Sequence, residues 1–121
     1  MPTYSKLPLS QGSFGGSVTV SASAAPYTLI HTTGTSTSSI DEVYIYASNS
    51  STADSNLTLY WGSSAVRDNI LTVNVQAYGG VTLLIPGLIL TGNGTTGSSI
   101  FTTTTFSSAV NITGYVNRIT P

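Results

Sequence analysis

Residues of high strand propensity alternate with polar residues along much of the chain, with a period of two. The clearest example lies within residues 40–62, where the alternating runs 43–47 and 57–61 flank a loop rich in Asn, Ser and Asp. We predict a β-hairpin with a long loop here. Its aliphatic face, with Trp61 as a core anchor, needs a covering layer, and the rest of the chain offers only strands to cover it.

Similar runs recur on both sides of this predicted hairpin, separated by turns rich in Gly, Pro, Asn and Ser. No window shows apolar residues at helical spacing. We therefore predict an all-β protein, an antiparallel two-sheet β-sandwich of jelly-roll or immunoglobulin-like type. Pro86 marks a strand boundary, a bulge or an edge, because proline cannot donate a ladder hydrogen bond. The other expected strands are residues 18–22, 27–32, 70–75, 81–85, 88–90, 100–106 and 110–119.

The beginning of the chain has no sustained period. Residues 1–17 contain Pro2, Pro8 and several glycines, so we expect an extended N-terminal arm, followed by one β-sandwich domain over residues 18–121. A loosely ordered terminus and an arm lying across a neighbouring molecule are both compatible with this composition.

Charged residues make up 6% of the 121 residues, against about 25% in a typical soluble domain. Polarity comes instead from serine and threonine, whose hydroxyls cost less to bury against a partner than charges do. The net charge of −1 gives little repulsion between copies. This composition favours large, permanent contacts, and we expect a homo-oligomer.

Several classes of function are not expected. The basic residues Lys6, Arg67 and Arg118 are too few for nucleic-acid binding, and the absence of cysteine excludes thiolate chemistry. The most apolar window, residues 81–90, is too short to span a membrane, and residues 1–10 lack the apolar core of a signal peptide. We therefore expect no membrane partner and synthesis in the cytoplasm.

The candidate chemical groups favour structural roles. His31, the only histidine, is expected to be partly buried and hydrogen-bonded. Asp41 and Glu42 are adjacent on a strand, so they point to opposite faces, and we interpret them as a solubilising pair. Asp54 and Asn56 have a spacing that calcium ligands use, but further carboxylates are missing. In the turn of residues 63–69, Asp68 is expected to cap or to pair locally. We predict no enzyme activity, no cofactor and no metal.

The tyrosines are more informative. Tyr44, Tyr46 and Tyr60 would share one face of the predicted hairpin, and aromatic rings with a polar tip suit an interface or a sugar-stacking platform. The same residues could equally form a second half of the core.

Four segments carry a resemblance to a known group: IDEVYIYASNSS, LTLYWGSS, VTLLIPGLILTGNG and VNITGYVNRIT. Together they resemble small virion structural proteins of tailed bacteriophages, over residues 40–120. The resemblance implies a place in the virion, with copies of the chain and the major capsid protein or other virion proteins as partners. Capsid decoration (cement) proteins of this group are small β-sandwiches, commonly trimers, and the group also includes head-to-tail and tail accessory proteins. The resemblance implies no catalytic residue.

Two hypotheses therefore remain. The first is a structural protein that binds copies of itself and a capsid or tail lattice. The second is a carbohydrate- or receptor-binding β-sandwich displayed on a virion, using its exposed tyrosines and the loop that contains Asp54 and Asn56.

Overall fold

A computed structural model describes residues 2–21, 27–62, 70–106 and 109–121, and shows an all-β chain with two antiparallel sheets. The one helical element in these ranges is a 3₁₀ turn over Ser13–Gly15. The strands are β1 (Thr3–Pro8), β2 (Val18–Thr19), β3 (Thr28–Thr32), β4 (Ile40–Asn49), β5 (Ser55–Gly62), β6 (Ile70–Val75), β7 (Thr82–Thr91), β8 (Ser99–Thr104) and β9 (Val110–Thr120). The predicted turn at residues 63–69, with Arg67 and Asp68, lies outside the described residues.

The strand order identifies the type of sandwich. One sheet, here called the front sheet, has the order β1-β9-β4-β7, with β2 also paired to β9; the back sheet has the order β3-β8-β5-β6. β1 and β2 pair with successive parts of β9, so they share one edge position. From β2 to β9 the chain changes sheet at every connection except β5 to β6. This connectivity is that of a jelly roll, the first of the two predicted types.

The predicted hairpin is wrong, because β4 and β5 lie in different sheets. β4 pairs with β7 and β9, whereas β5 pairs with β6 and β8. The chain crosses between the sheets just after Asn49, whose buried side chain holds the crossing in place. Its amide donates to the carbonyl oxygens of Ala53 and Val75, at 2.9 Å each, and its Oδ1 accepts from the backbone N–H and hydroxyl of Ser51. The loop is therefore an arch and not a hairpin turn.

The expected N-terminal arm is extended, but it belongs to the fold. β1 pairs with β9 over all six of its residues, and Leu9 directly after it is buried in the core. Ser10 then reaches the back sheet, where its hydroxyl accepts a hydrogen bond from the N–H of Thr32 at 2.9 Å. An arm that lies outside a sandwich beginning at residue 18 is therefore not what the structure shows.

The core lies between the sheets and follows the predicted alternation. On β4 the odd-numbered residues from Asp41 to Asn49 face inward, and on β5 Leu57 and Leu59 do so. Trp61 packs against this core, as predicted. Each fully buried Val, Leu or Ile side chain stabilises the fold by about 1.5–3 kcal/mol. The fully buried aliphatic residues are Val20, Ile30, Val43, Ile45, Ala47, Leu57, Leu59, Ile100, Val110, Ile112 and Val116.

The two runs predicted at residues 81–85 and 88–90 form one strand, β7. Its pairing with β4 shifts register twice, on either side of the Tyr44–Pro86 and Ile45–Ile85 pairs. β7 is also the edge of the front sheet. Pro86 is thus accommodated by both features that its chemistry allows, irregular pairing and an edge position.

Candidate functional site

The outer face of the front sheet presents its side chains in four rows that run across the strands. Because neighbouring strands are in register, the residues of one row lie side by side. Lys6 and Glu42 are the charged members, and both belong to the same row. The rows are Tyr4–Ile119–Ile40–Thr91, Lys6–Asn117–Glu42–Ile89, Pro8–Tyr115–Tyr44–Pro86 and Thr113–Tyr46–Leu83.

Tyr44 and Tyr115 form a stacked pair at the centre of this face. Their ring centroids are 4.8 Å apart and their planes are 14° from parallel, while the Lys6 ammonium lies 4.8 Å from the Tyr115 ring centroid. On its other side Tyr44 covers Gly87 of β7, where a Cβ would lie 3.0 Å from the tyrosine hydroxyl. Aromatic cover of a glycine in an edge strand helps to hold such a strand in register.

Tyr60 does not join Tyr44 and Tyr46, so the predicted cluster of three tyrosines is wrong. Tyr60 lies on the outer face of the back sheet, where it stacks on Tyr27 with a centroid separation of 4.4 Å. This prediction is wrong because it assumed that β4 and β5 pair as a hairpin. Tyr115, which was not singled out in the sequence, takes the place of Tyr60 beside Tyr44. The alternation of apolar and polar residues along β9 could have indicated which face Tyr115 lies on, but not that Tyr44 lies beside it.

The edge strand β7 exposes an apolar surface that carries no charged residue over its ten positions. Leu83, Leu88 and Ile89 are 43%, 44% and 56% exposed, and Val81, just before the strand, is 68% exposed. We call these four residues the apolar edge. In natural proteins, charged residues, prolines or bulges usually prevent an edge strand from pairing with another chain. Here Pro86 and the shifted register interrupt backbone pairing, so the apolar edge is suited to side-chain contacts more than to strand addition.

Glu42 is held firmly on this face. Its Oε1 accepts hydrogen bonds from the Tyr44 hydroxyl at 2.8 Å and from the Asn117 amide at 3.2 Å. The hydrogen bond to Glu42 raises the pKa of Tyr44, and partial burial adds to the increase. Glu42 thus points outward, as the alternation predicted, and takes part in a fixed polar group.

Asp41 points the other way and is buried, so its interpretation as a solubilising residue is wrong. It lies between His31 of β3 and Arg118 of β9, and its carboxylate accepts from both. The distances are 2.8 Å from Asp41 Oδ2 to His31 Nε2, 2.8 Å from Oδ1 to Arg118 Nε, and 2.9 Å from Oδ2 to Arg118 Nη2. This network joins the two sheets at one end of the core.

The network leaves His31 no free ring nitrogen. Its Nδ1 accepts from the backbone N–H of Ser10 at 3.1 Å, which places the ring proton on Nε2, facing Asp41. His31 is buried and hydrogen-bonded, as predicted, and the burial is complete. Burial by itself would raise the pKa of Asp41, but the hydrogen bonds from Arg118 and His31 and the charge of Arg118 lower it below its ordinary value. The hydrogen bond to Asp41 in turn raises the pKa of Arg118. Such geometry fits a structural role.

Asp54, in the arch between β4 and β5, and Asn56, in β5, make hydrogen bonds to β6 and to the segment that follows it. Asp54 accepts from the backbone N–H of Ala77 at 2.9 Å, and Asn56 accepts from the Asn74 amide at 3.0 Å. Over the described ranges, no group of three or more His, Asp or Glu side chains is placed to hold a metal ion.

No family model, curated protein or solved structure matches the chain. Among the residues that the structure describes, no helix is long and apolar enough to cross a membrane.

Proposed function

We propose that this chain is a non-enzymatic structural protein of a virion, a capsid decoration protein that works as a homo-oligomer. The observation that carries the proposal is the apolar edge, an uncharged strip along β7 whose Leu83 lies beside Tyr46 on the outer face of the front sheet. Large exposed apolar patches on soluble domains mark sites of interaction.

A second copy of the chain is the partner that this surface suits best. The whole sequence has three basic and four acidic residues, so two copies meet with almost no charge to desolvate or to repel. Aromatic residues are enriched at interfaces, and the half-buried Tyr46 lies directly beside Leu83 in its row. Phe14 is fully exposed on the 3₁₀ turn, so the N-terminal region also offers an aromatic side chain to a partner.

The virion as the place of action is supported by two further points. The four segments quoted above resemble small virion structural proteins, and jelly rolls are a recurrent architecture of viral capsid domains. The fold by itself does not determine function, so the jelly roll supports the proposal only together with the apolar edge and the low charge.

Mass spectrometry of density-gradient-purified virus particles tests this proposal. Particles from a culture that expresses the chain should contain it at a fixed ratio to the major capsid protein, and an Ile89→Asp variant should be lost from them. The matched control is Ile70→Asp, which alters an exposed isoleucine on the edge strand of the back sheet and should leave incorporation unchanged. Absence of the wild-type chain from the particles would refute the virion role.

A further inference from the structure

A groove lies on the outer face of the front sheet. It is formed by β1, β9 and β4. It has a volume of about 470 Å³, within the size range of ligand sites. The apolar edge belongs to β7, on the other side of β4, so a function of the groove goes beyond the assembly proposed above. The groove is lined by Tyr4, Ser5, Lys6, Glu42, Asn117 and Ile119.

The Glu42 carboxylate of the groove is fixed before any ligand arrives, and the exposed Lys6 is positioned by its contact with Tyr115. The two hydrogen bonds to Glu42 Oε1 hold the carboxylate, while its Oε2 has no hydrogen-bond partner among the described residues. The Lys6 ammonium is held over the Tyr115 ring, and within the described part of the chain it forms no ion pair. An acceptor and a donor are therefore both available at one small site.

The walls of the groove are apolar and aromatic. Tyr4 is 69% exposed, and Ile119 lies beside it in the same row. An aromatic ring with a polar tip suits a ligand that has one apolar and one hydroxylated face. A free carboxylate oxygen accepts hydrogen bonds from hydroxyl groups, and an ammonium donates to them.

From these groups we infer that the groove binds a neutral oligosaccharide. Sugar rings offer C–H faces to Tyr4 and hydroxyls to Glu42 and Lys6. A strongly anionic ligand would meet the Glu42 carboxylate, and a cationic ligand would meet Lys6, so a ligand with no net charge fits the two groups better than an ion of either sign.

NMR titration of the full chain tests the inference, with maltohexaose, cellohexaose, chitohexaose and xylohexaose as neutral probes and hexagalacturonate as an acidic one. At least one neutral probe should shift backbone amide signals of Lys6, Glu42 and Asn117 in a saturable way. Replacing Tyr4→Ala should weaken binding about fivefold, and Glu42→Gln about tenfold.

Tyr78→Ala is the matched control, because Tyr78 is also 69% exposed and does not line the groove. Its affinity for the neutral probe should equal that of the wild type, and the thermal melts of all three variants identify any loss of fold. The inference is overturned if no neutral probe binds, if the shifts lie elsewhere, if hexagalacturonate binds best, or if folded Tyr4→Ala binds like the wild type. None of these outcomes bears on assembly, which is measured separately.

Discussion

Arg118 donates two hydrogen bonds to the buried carboxylate of Asp41 across the β4–β9 pair. The two residues are directly opposite in register, and both side chains turn to the inner face of the front sheet. Asp41 is 2% exposed, so its charge depends on this partner and on His31 for compensation. With Ser10 bound to the far side of His31, one chain of contacts joins β9, β4, β3 and the segment after β1.

The Asp41 network predicts a specific dependence of stability on pH. Because the folded-state pKa of Asp41 is lowered, its contribution is fully present above the ordinary carboxyl pKa of about 4 and is lost as the pH falls through the folded value. Asp41→Asn should lower the free energy of unfolding by about 2–3 kcal/mol at pH 7 and flatten its decline below pH 4. Urea denaturation at a series of pH values measures this. Asp54→Asn, at an exposed site, serves as the control, and an equal loss there would contradict the assignment.

Asn49 is predicted to be essential for the arch between the sheets. Its buried side chain makes four hydrogen bonds, so Asn49→Ala should cost about 3 kcal/mol in the free energy of unfolding. Asn93→Ala, which removes the acceptor for two backbone N–H groups in an exposed turn, should cost about 1 kcal/mol. Thermal denaturation of both variants tests this order. Equal losses would mean that the arch does not depend on Asn49.

The arch also shows what the sequence could and could not predict. The alternation of apolar and polar residues correctly predicted an all-β fold and the inward-facing residues of β4 and β5, because burial along a strand repeats every two residues. It could not give the partner of either strand, since both sheets place their apolar faces on the same core. The signal for the crossing is Asn49 itself, an amide at a core-facing position, and its importance appears only once the carbonyl of Val75 is beside it.

The residues of the candidate site could also be predicted only in part from the sequence. Glu42 and Tyr44 could be placed on an outer face from alternation, but Tyr4 and Lys6 could not, because residues 1–17 show no period. Their place opposite Ile119 and Asn117 comes from pairing between the two ends of the chain. Long-range pairing of this kind leaves no local pattern.

Tyr44 and Tyr46 are predicted to have different roles although they share one face. Tyr44 stacks on Tyr115 and covers Gly87, so Tyr44→Ala should lower the free energy of unfolding by about 2 kcal/mol. Tyr46 lies beside Leu83, and Tyr46→Ala should weaken self-association about tenfold while changing stability by less than about 1 kcal/mol. Chemical denaturation and a sedimentation series on both variants separate these effects. The reverse pattern would show that Tyr44, and not Tyr46, belongs to the interface.

Sedimentation velocity over a concentration series tests the central claim, self-assembly through the apolar edge, most directly. The wild-type chain should form a defined oligomer, and Ile89→Asp should shift the population to monomer because a charge would be buried at the contact. Ile70→Asp on the back sheet should sediment like the wild type. A wild-type chain that remains monomeric at its highest soluble concentration, or an Ile89→Asp variant that still forms the same oligomer, would contradict the account.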